Sequence, residues 1–242
     1  MKHRLLAALT AFFMPVAAHA SCDMMAFEGR DFAVCEANAS DDVRVFQTAP
    51  DGRTYGSFTR VDNALKAEGK TLGFAMNAGM YHPDRSPVGL LIEDGQQRAR
   101  LVTGASDGNF GLLPNGVFCI GDRFSVVETR AYAADPPRCR FATQSGPMLV
   151  IDGALHPRFL PDSTSRHIRN GVGVSADGQK AWFVMSSDYV TFDEFGRFFR
   201  DGLETPNALY FDGSISRLYS PDLGRSDIGF PLGPIVGLAI PR

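Results

Sequence analysis

The sequence predicts an α+β fold: a single domain whose large, mostly antiparallel or mixed, twisted sheet carries a few flanking helices. Three observations point there. Short apolar, β-branched runs recur along the chain, tight-turn dipeptides punctuate them, and only two segments keep a helical period.

The first element is not part of the fold. Lys2, His3 and Arg4 precede an apolar run over residues 5–18, and Ala18-His19-Ala20 has the small-x-small form of a cleavage site. Residues 1–20 therefore read as a signal peptide, too short for a membrane span. The domain then occupies residues 21–242. Strands are predicted at 72–76, 88–93, 116–120, 124–128, 147–151, 172–175, 181–186, 209–211 and 236–240. Asp94-Gly95, Asp152-Gly153 and Asp177-Gly178 follow strands and predict hairpin turns. A first helix is predicted over 59–68, with Val61, Ala64 and Leu65 on one face and Gly69 as its stop. A second is predicted over 191–201. Thr191 and Glu194 have capping-box spacing, and Phe192, Phe195, Phe198 and Phe199 form one apolar stripe, the ordinary signature of a buried face.

Charge and cysteines set the surroundings. Without Lys2 and Arg4, 22 basic residues face 27 acidic ones, a net of −5. No basic tract stands out, which argues against nucleic acid and anionic membrane surfaces as partners. Cys22, Cys35, Cys119 and Cys139 all follow residue 20. An even count in an exported chain predicts two disulfides, and local pairing is the simplest of three connectivities. The expected location is periplasmic or secreted, with no membrane insertion after cleavage.

Four polar segments abut predicted strands: Asn77-Ala78-Gly79-Met80-Tyr81, Ser145-Gly146-Pro147, Arg169-Asn170-Gly171-Val172-Gly173 and Phe211-Asp212-Gly213-Ser214. Each joins a polar group to backbone that glycine or proline shapes, so four strand ends are expected to converge on one cleft. Asp-Gly occurs seven times, mostly as turns, but Asp212 follows a buried strand and precedes Ser214, Ser216 and Arg217. Arg169 offers a guanidinium for two-point capture of an anion, with Arg166 and His167 beside it. A buried Asn77 amide must be hydrogen-bonded to backbone or to a ligand. Tyr81 offers a ring for a sugar, Ser145 a donor, and Asp188 a second carboxylate. His82, His156 and His167 lack metal-ligand spacing. No cofactor is expected, though aspartates around a phosphate cleft suit a divalent cation.

Taken together and in this order, the four segments resemble the phosphodiester glycosidase family, whose motifs run Asn-Gly-Gly-Phe, Ser/Gly-Gly-Pro, Arg-Thr-Ala-Val-Gly and Asp-Gly-Gly-Gly-Ser. The likeness spans about residues 70 to 240, and is nearest to small exported bacterial members. Ala78 interrupts the first motif, and Ser214-Ile215 replaces two glycines of the last. The resemblance implies hydrolysis of a sugar-1-phosphodiester, borne by a small molecule or glycan, at the anomeric carbon. Asp212, Arg169 and Asn77 would be catalytic. Gly79, Tyr81, Ser145, Gly146, Asn170, Gly171, Gly213 and Ser214 would bind substrate. A non-catalytic periplasmic binder of a phosphosugar or cell-wall glycan is the alternative.

Overall fold

The computed structural model describes residues 21–242; the predicted signal peptide lies outside them. These residues form three antiparallel sheets rather than one large one. The first has seven strands, in spatial order Cys22–Phe27, Arg30–Asn38, Lys180–Ser186, Asn170–Val174, Asn207–Tyr210, Met148–Ile151 and Ala154–Leu155. The second runs Arg225–Ser226, Leu218–Ser220, Lys70–Asn77, Ile235–Pro241 and Val43–Phe46. The third runs Gln96–Ala99, Leu91–Glu93, Gly116–Ile120 and Phe124–Glu128, with Phe141–Ser145 inserted between the second and third of these. The division corrects the single-sheet expectation. Twist accumulates across neighbouring strands, and an open sheet of this many strands curls or splits.

The split creates one shared interior. Phe183 and Val172 from the first sheet, Phe74 and Val236 from the second, and Phe118 and Ile120 from the third belong to one buried cluster. Each sheet then covers its outer face with one helix. Helix α1 (Phe58–Lys66) lays Phe58, Val61 and Leu65 on the second sheet. Its N-cap is Ser57, whose side chain accepts from the Arg60 N–H. The short α2 (Thr129–Ala134) sets Tyr132 against Val117 and Ala142 of the third. Helix α3 (Phe192–Arg197) continues as a π turn over Phe198–Gly202 and packs Phe195, Phe198 and Phe199 onto the first. Thr191 and Glu194 form the predicted capping box.

Both disulfides join local pairs. Cys22–Cys35 crosses the first hairpin, and Cys119–Cys139 ties the segment after α2 to the Gly116–Ile120 strand. Among the described residues, no helix is long and apolar enough to cross a membrane.

Candidate active site

All four motif segments meet at the Phe211–Asp212 peptide, where three of them hold the fourth. Asn77 ends its strand in the second sheet, fully buried, and its amide works in both directions. Nδ2 donates to the Asp212 carbonyl at 2.9 Å, and Oδ1 accepts from the Arg217 N–H at 2.9 Å. Asn170 opens its strand in the first sheet and donates from Nδ2 to the Asn77 carbonyl at 2.8 Å. Ser145 closes its strand in the third sheet and donates from Oγ to the Phe211 carbonyl at 2.9 Å. The Phe211 N–H itself donates to the Asn170 carbonyl at 3.0 Å. One residue from each sheet therefore fixes the backbone that carries Asp212. Leaving any of these buried polar groups unmatched costs on the order of 1–3 kcal/mol, so the junction is held tightly.

Arg169 lies elsewhere. Successive residues of extended chain point to opposite faces, so Asn170 faces the sheet junction while Arg169 faces the layer of α3. Its side chain is buried at 1% exposure. Nε donates to the Val190 carbonyl at 3.0 Å and Nη2 to the Ser165 carbonyl at 3.2 Å. The guanidinium carbon sits 3.6 Å from the Phe192 ring centroid and 5.6 Å from that of Tyr210. Burial pulls its pKa down, and the Tyr210 hydroxyl opposes this.

Tyr210 links the two faces. A Cβ on Gly213 would lie 1.9 Å from the Tyr210 hydroxyl oxygen, so glycine is required there. Burial raises the Tyr210 pKa, as does the charge of Asp212, against the lowering effect of Arg169. Asp212 is half-buried, and its charge also adds to burial in raising the pKa of Tyr81. The Tyr81 side chain packs against Gly233, where a Cβ would stand 2.4 Å from its Cγ, and its hydroxyl is buried without a hydrogen-bond partner. The Gly233 N–H is near but out of hydrogen-bonding geometry.

The other motif glycines face protein. A Cβ at Gly79 would meet the Gln144 carbonyl at 2.4 Å, one at Gly146 the Asn115 Cβ at 2.5 Å, and one at Gly171 the Leu209 carbonyl at 2.5 Å. Their small size lets sheets and loops approach one another. Asp188 accepts from the Asp31 N–H at 2.9 Å and anchors the neighbouring hairpin. Ser214 belongs to the 3-10 turn Gly213–Ile215, but its side chain lies outside the described residues.

Beside this junction opens a cleft of about 730 Å³. Gly213, Ser216 and Arg217 form one wall, and His167, Ser186 and Arg225 line it further round. Arg225 pairs with Asp227 at 2.9 Å. Arg217 donates to the Phe230 carbonyl. Arg225 and the loop after it carry no motif signal in the sequence. Arg217 was marked only by its position after the Asp212 segment. Among the described residues, no three His, Cys, Asp or Glu side chains stand together as a metal centre.

Comparison with known proteins agrees with this architecture. Residues 70–223 match the phosphodiester glycosidase family. The chain is 35% identical to the uncharacterized protein YigE of Escherichia coli (strain K12) over 178 residues, 73% of this chain and 69% of that one. The fold is similar to the catalytic domain of zebrafish N-acetylglucosamine-1-phosphodiester alpha-N-acetylglucosaminidase, a structure auto-inhibited by its pro-peptide. The TM-score there is 0.60 at 12% identity, over 90% of this chain and 81% of that chain. It is also similar to a hypothetical protein from Synechocystis, with a TM-score of 0.57 at 12% identity over 90% of this chain and 61% of that chain. By the extent of the family match and by its likeness to YigE, the chain belongs to the phosphodiester glycosidase family.

Proposed function

We propose that this protein is an exported hydrolase that cleaves a sugar-1-phosphodiester at the anomeric carbon, with Asp212 as its catalytic carboxylate. One observation carries the reading: Asn77 and Ser145, with Asn170 behind them, converge from three sheets to brace the Asp212 backbone beside an open cleft. Such bracing is what a reacting carboxylate needs, because a small misplacement costs rate steeply. Water adds its oxygen to the anomeric carbon, and the bond from that carbon to the phosphate oxygen breaks. The leaving group is a phosphomonoester, already a stable anion, so no strong acid has to protonate it. Asp212 stabilises the anomeric centre as nucleophile or takes the proton of the attacking water. Arg217, on the wall of the same cleft, binds the phosphate. Arg169 supports the site from behind, stacked under Phe192 and acting through Tyr210. Tyr81, close enough to Asp212 to feel its charge, is the ring assigned to the sugar.

Export fits the sequence of residues 1–20 and the two disulfides, which persist in an oxidising compartment. The test is a panel of chromogenic sugar-1-phosphodiesters offered to the purified protein and to Asp212→Asn. Hydrolysis by the wild type is expected to drop about 100-fold or more in the variant, on the scale of a lost general base. A folded Asp212→Asn protein with wild-type turnover would remove Asp212 from the chemistry.

A further inference from the structure

The cleft beside Asp212 is rimmed by apolar side chains that no hydrolytic step uses. Among the described residues, six large apolar or aromatic side chains are exposed, and three of them ring this one opening: Tyr189 at 65%, Ile228 at 93% and Phe230 at 78%. Two elements supply them. Tyr189 precedes α3, and Ile228 and Phe230 sit on the loop that follows the Arg225–Ser226 strand. Exposed apolar groups gathered around a polar cleft mark a binding surface.

That loop is held from both ends. Asp227 accepts from the Leu218 N–H at 2.9 Å and from the Arg225 guanidinium, and Arg217 donates to the Phe230 carbonyl. The Arg217 guanidinium also lies flat against Gly229, where a Cβ would stand 2.4 Å from Nη2. Ile228 and Phe230 are thus presented to solvent by a fixed backbone, and their exposure is built in. Arg217 does two jobs, shaping the apolar loop and lining the cleft.

Charge defines what enters. Two arginines line the cleft, and Arg225 is committed to Asp227, so Arg217 is the cation on this wall that can meet a phosphodiester's single negative charge. The volume of about 730 Å³ has room for more than one phosphorylated sugar ring.

We propose that the substrate is a lipid-linked sugar phosphodiester: the second ester arm is an alkyl or isoprenoid chain that lies across Tyr189, Ile228 and Phe230 while the phosphate sits at Arg217. The proposal rests on the phosphodiester reading above and names which diester it is. A polar acceptor, such as a second sugar, would leave these three side chains unused.

The test compares methyl and decyl diesters of N-acetylglucosamine-1-phosphate and of glucose-1-phosphate, below the micelle threshold of the decyl esters. Dissociation constants are measured on the wild type and on the double variant Ile228→Ser/Phe230→Ser. A decyl ester is expected to bind at least about ten-fold more tightly than its methyl partner, the equivalent of burying two methylenes. In the double variant that ratio is expected to fall toward one. The ratio is the readout, so a general loss of affinity does not count. Equal affinity for both esters, no binding of either decyl ester, or an undiminished ratio in the double variant overturns the proposal. Equal retention of wild type on plain phosphatidylcholine vesicles overturns it too, since the rim would then be a membrane-docking surface. Turnover is scored separately. Rim-dependent decyl binding without hydrolysis supports the lipid arm and rejects the hydrolase. Hydrolysis of methyl and decyl esters with equal affinity does the reverse.

Discussion

Arg169 and Asn170 are neighbours in sequence and strangers in space, and the difference decides what each can do. Asn170 faces the junction and holds Asn77. Arg169 turns to the other face and is enclosed by Phe192, Tyr210 and two carbonyls. The sequence marked both positions as polar groups at a strand start, but it carried no register to say which pointed inward, because a one-residue slip exchanges the faces. The Asp212 segment was legible for a stronger reason: an apolar strand, an Asp-Gly step and a serine-rich exit appear together. The burial of Arg169 has a measurable consequence. Arg169→Ala removes the donor to the Ser165 carbonyl, empties a packed site and ends the stacking with Phe192, at a cost of about 3 kcal/mol in urea unfolding. Arg169→Lys keeps the charge without the planar fork and should recover only part of that loss. An Arg169→Ala protein that unfolds at the wild-type midpoint yet fails to bind phosphodiesters would make the guanidinium an anion ligand after all.

Elements were more legible than single side chains wherever local chemistry dictated them. Asp94-Gly95 and Asp152-Gly153 place both residues at positive φ, as a tight hairpin turn requires. Glu28-Gly29 does the same, with φ of 48° and 71°, but glutamate is an unusual first residue for such a turn, so the dipeptide carries no turn signal. Its leading strand, Cys22–Phe27, is an edge strand with mostly exposed side chains, so no alternation betrays it. The Phe141–Ser145 strand was hidden differently: it is buried throughout yet contains Thr143, Gln144 and Ser145. Gln144 spends its amide on Leu90, Val102 and Thr129, and polar residues satisfied that way look exposed in a sequence. Helix α2 is too short to show a period. A charged knot joins three other elements. Asp42 precedes the Val43–Phe46 strand and bonds Arg44 at 2.6 Å and Lys70 at 2.7 Å, while Arg44 also reaches Glu68 beyond α1 at 2.9 Å. The Arg44 hydrogen bond leads in pulling the Asp42 pKa from 3.8 to about 2, with Lys70 helping and burial opposing. The folded value lies below the unfolded one, so this stabilisation is complete above about pH 4 and fades as pH falls toward 2. The full shift corresponds to roughly 2.4 kcal/mol by linkage, and solvent screening at this part-exposed site reduces it to about 1 kcal/mol. Urea titrations between pH 2 and 6 should show that decrement in the wild type and a flatter profile in Asp42→Asn. Parallel profiles would remove Asp42 from the acid sensitivity.

At the scale of the molecule, the contacts that matter join distant residues. Lys180 pairs with Asn38, and Asn77 reaches Asp212. Local pattern carries no trace of such pairings, which is why strands with a clear apolar pattern are foreseeable and the division into three sheets is not. The division puts Asp212 at a junction held by one residue from each of the three sheets, so the candidate site depends on the sheets staying in register. The two disulfides guard that arrangement unequally in space but almost equally in energy. Cys22–Cys35 closes 13 residues within one hairpin, and Cys119–Cys139 closes 20 and clamps the approach to the strand that ends in Ser145. Loop-closure entropy grows only with the logarithm of length, so each bridge should contribute about 3 kcal/mol, with a difference of only about 0.4 kcal/mol between them. Replacing either pair by serine should therefore lower urea stability by similar amounts. Only loss of Cys119–Cys139 should also speed amide exchange along Phe141–Ser145, since of the two bridges it is the one attached to the chain leading into this strand. A Cys119→Ser/Cys139→Ser protein with unchanged exchange there would mean that the sheet holds Ser145 against Phe211 without covalent help.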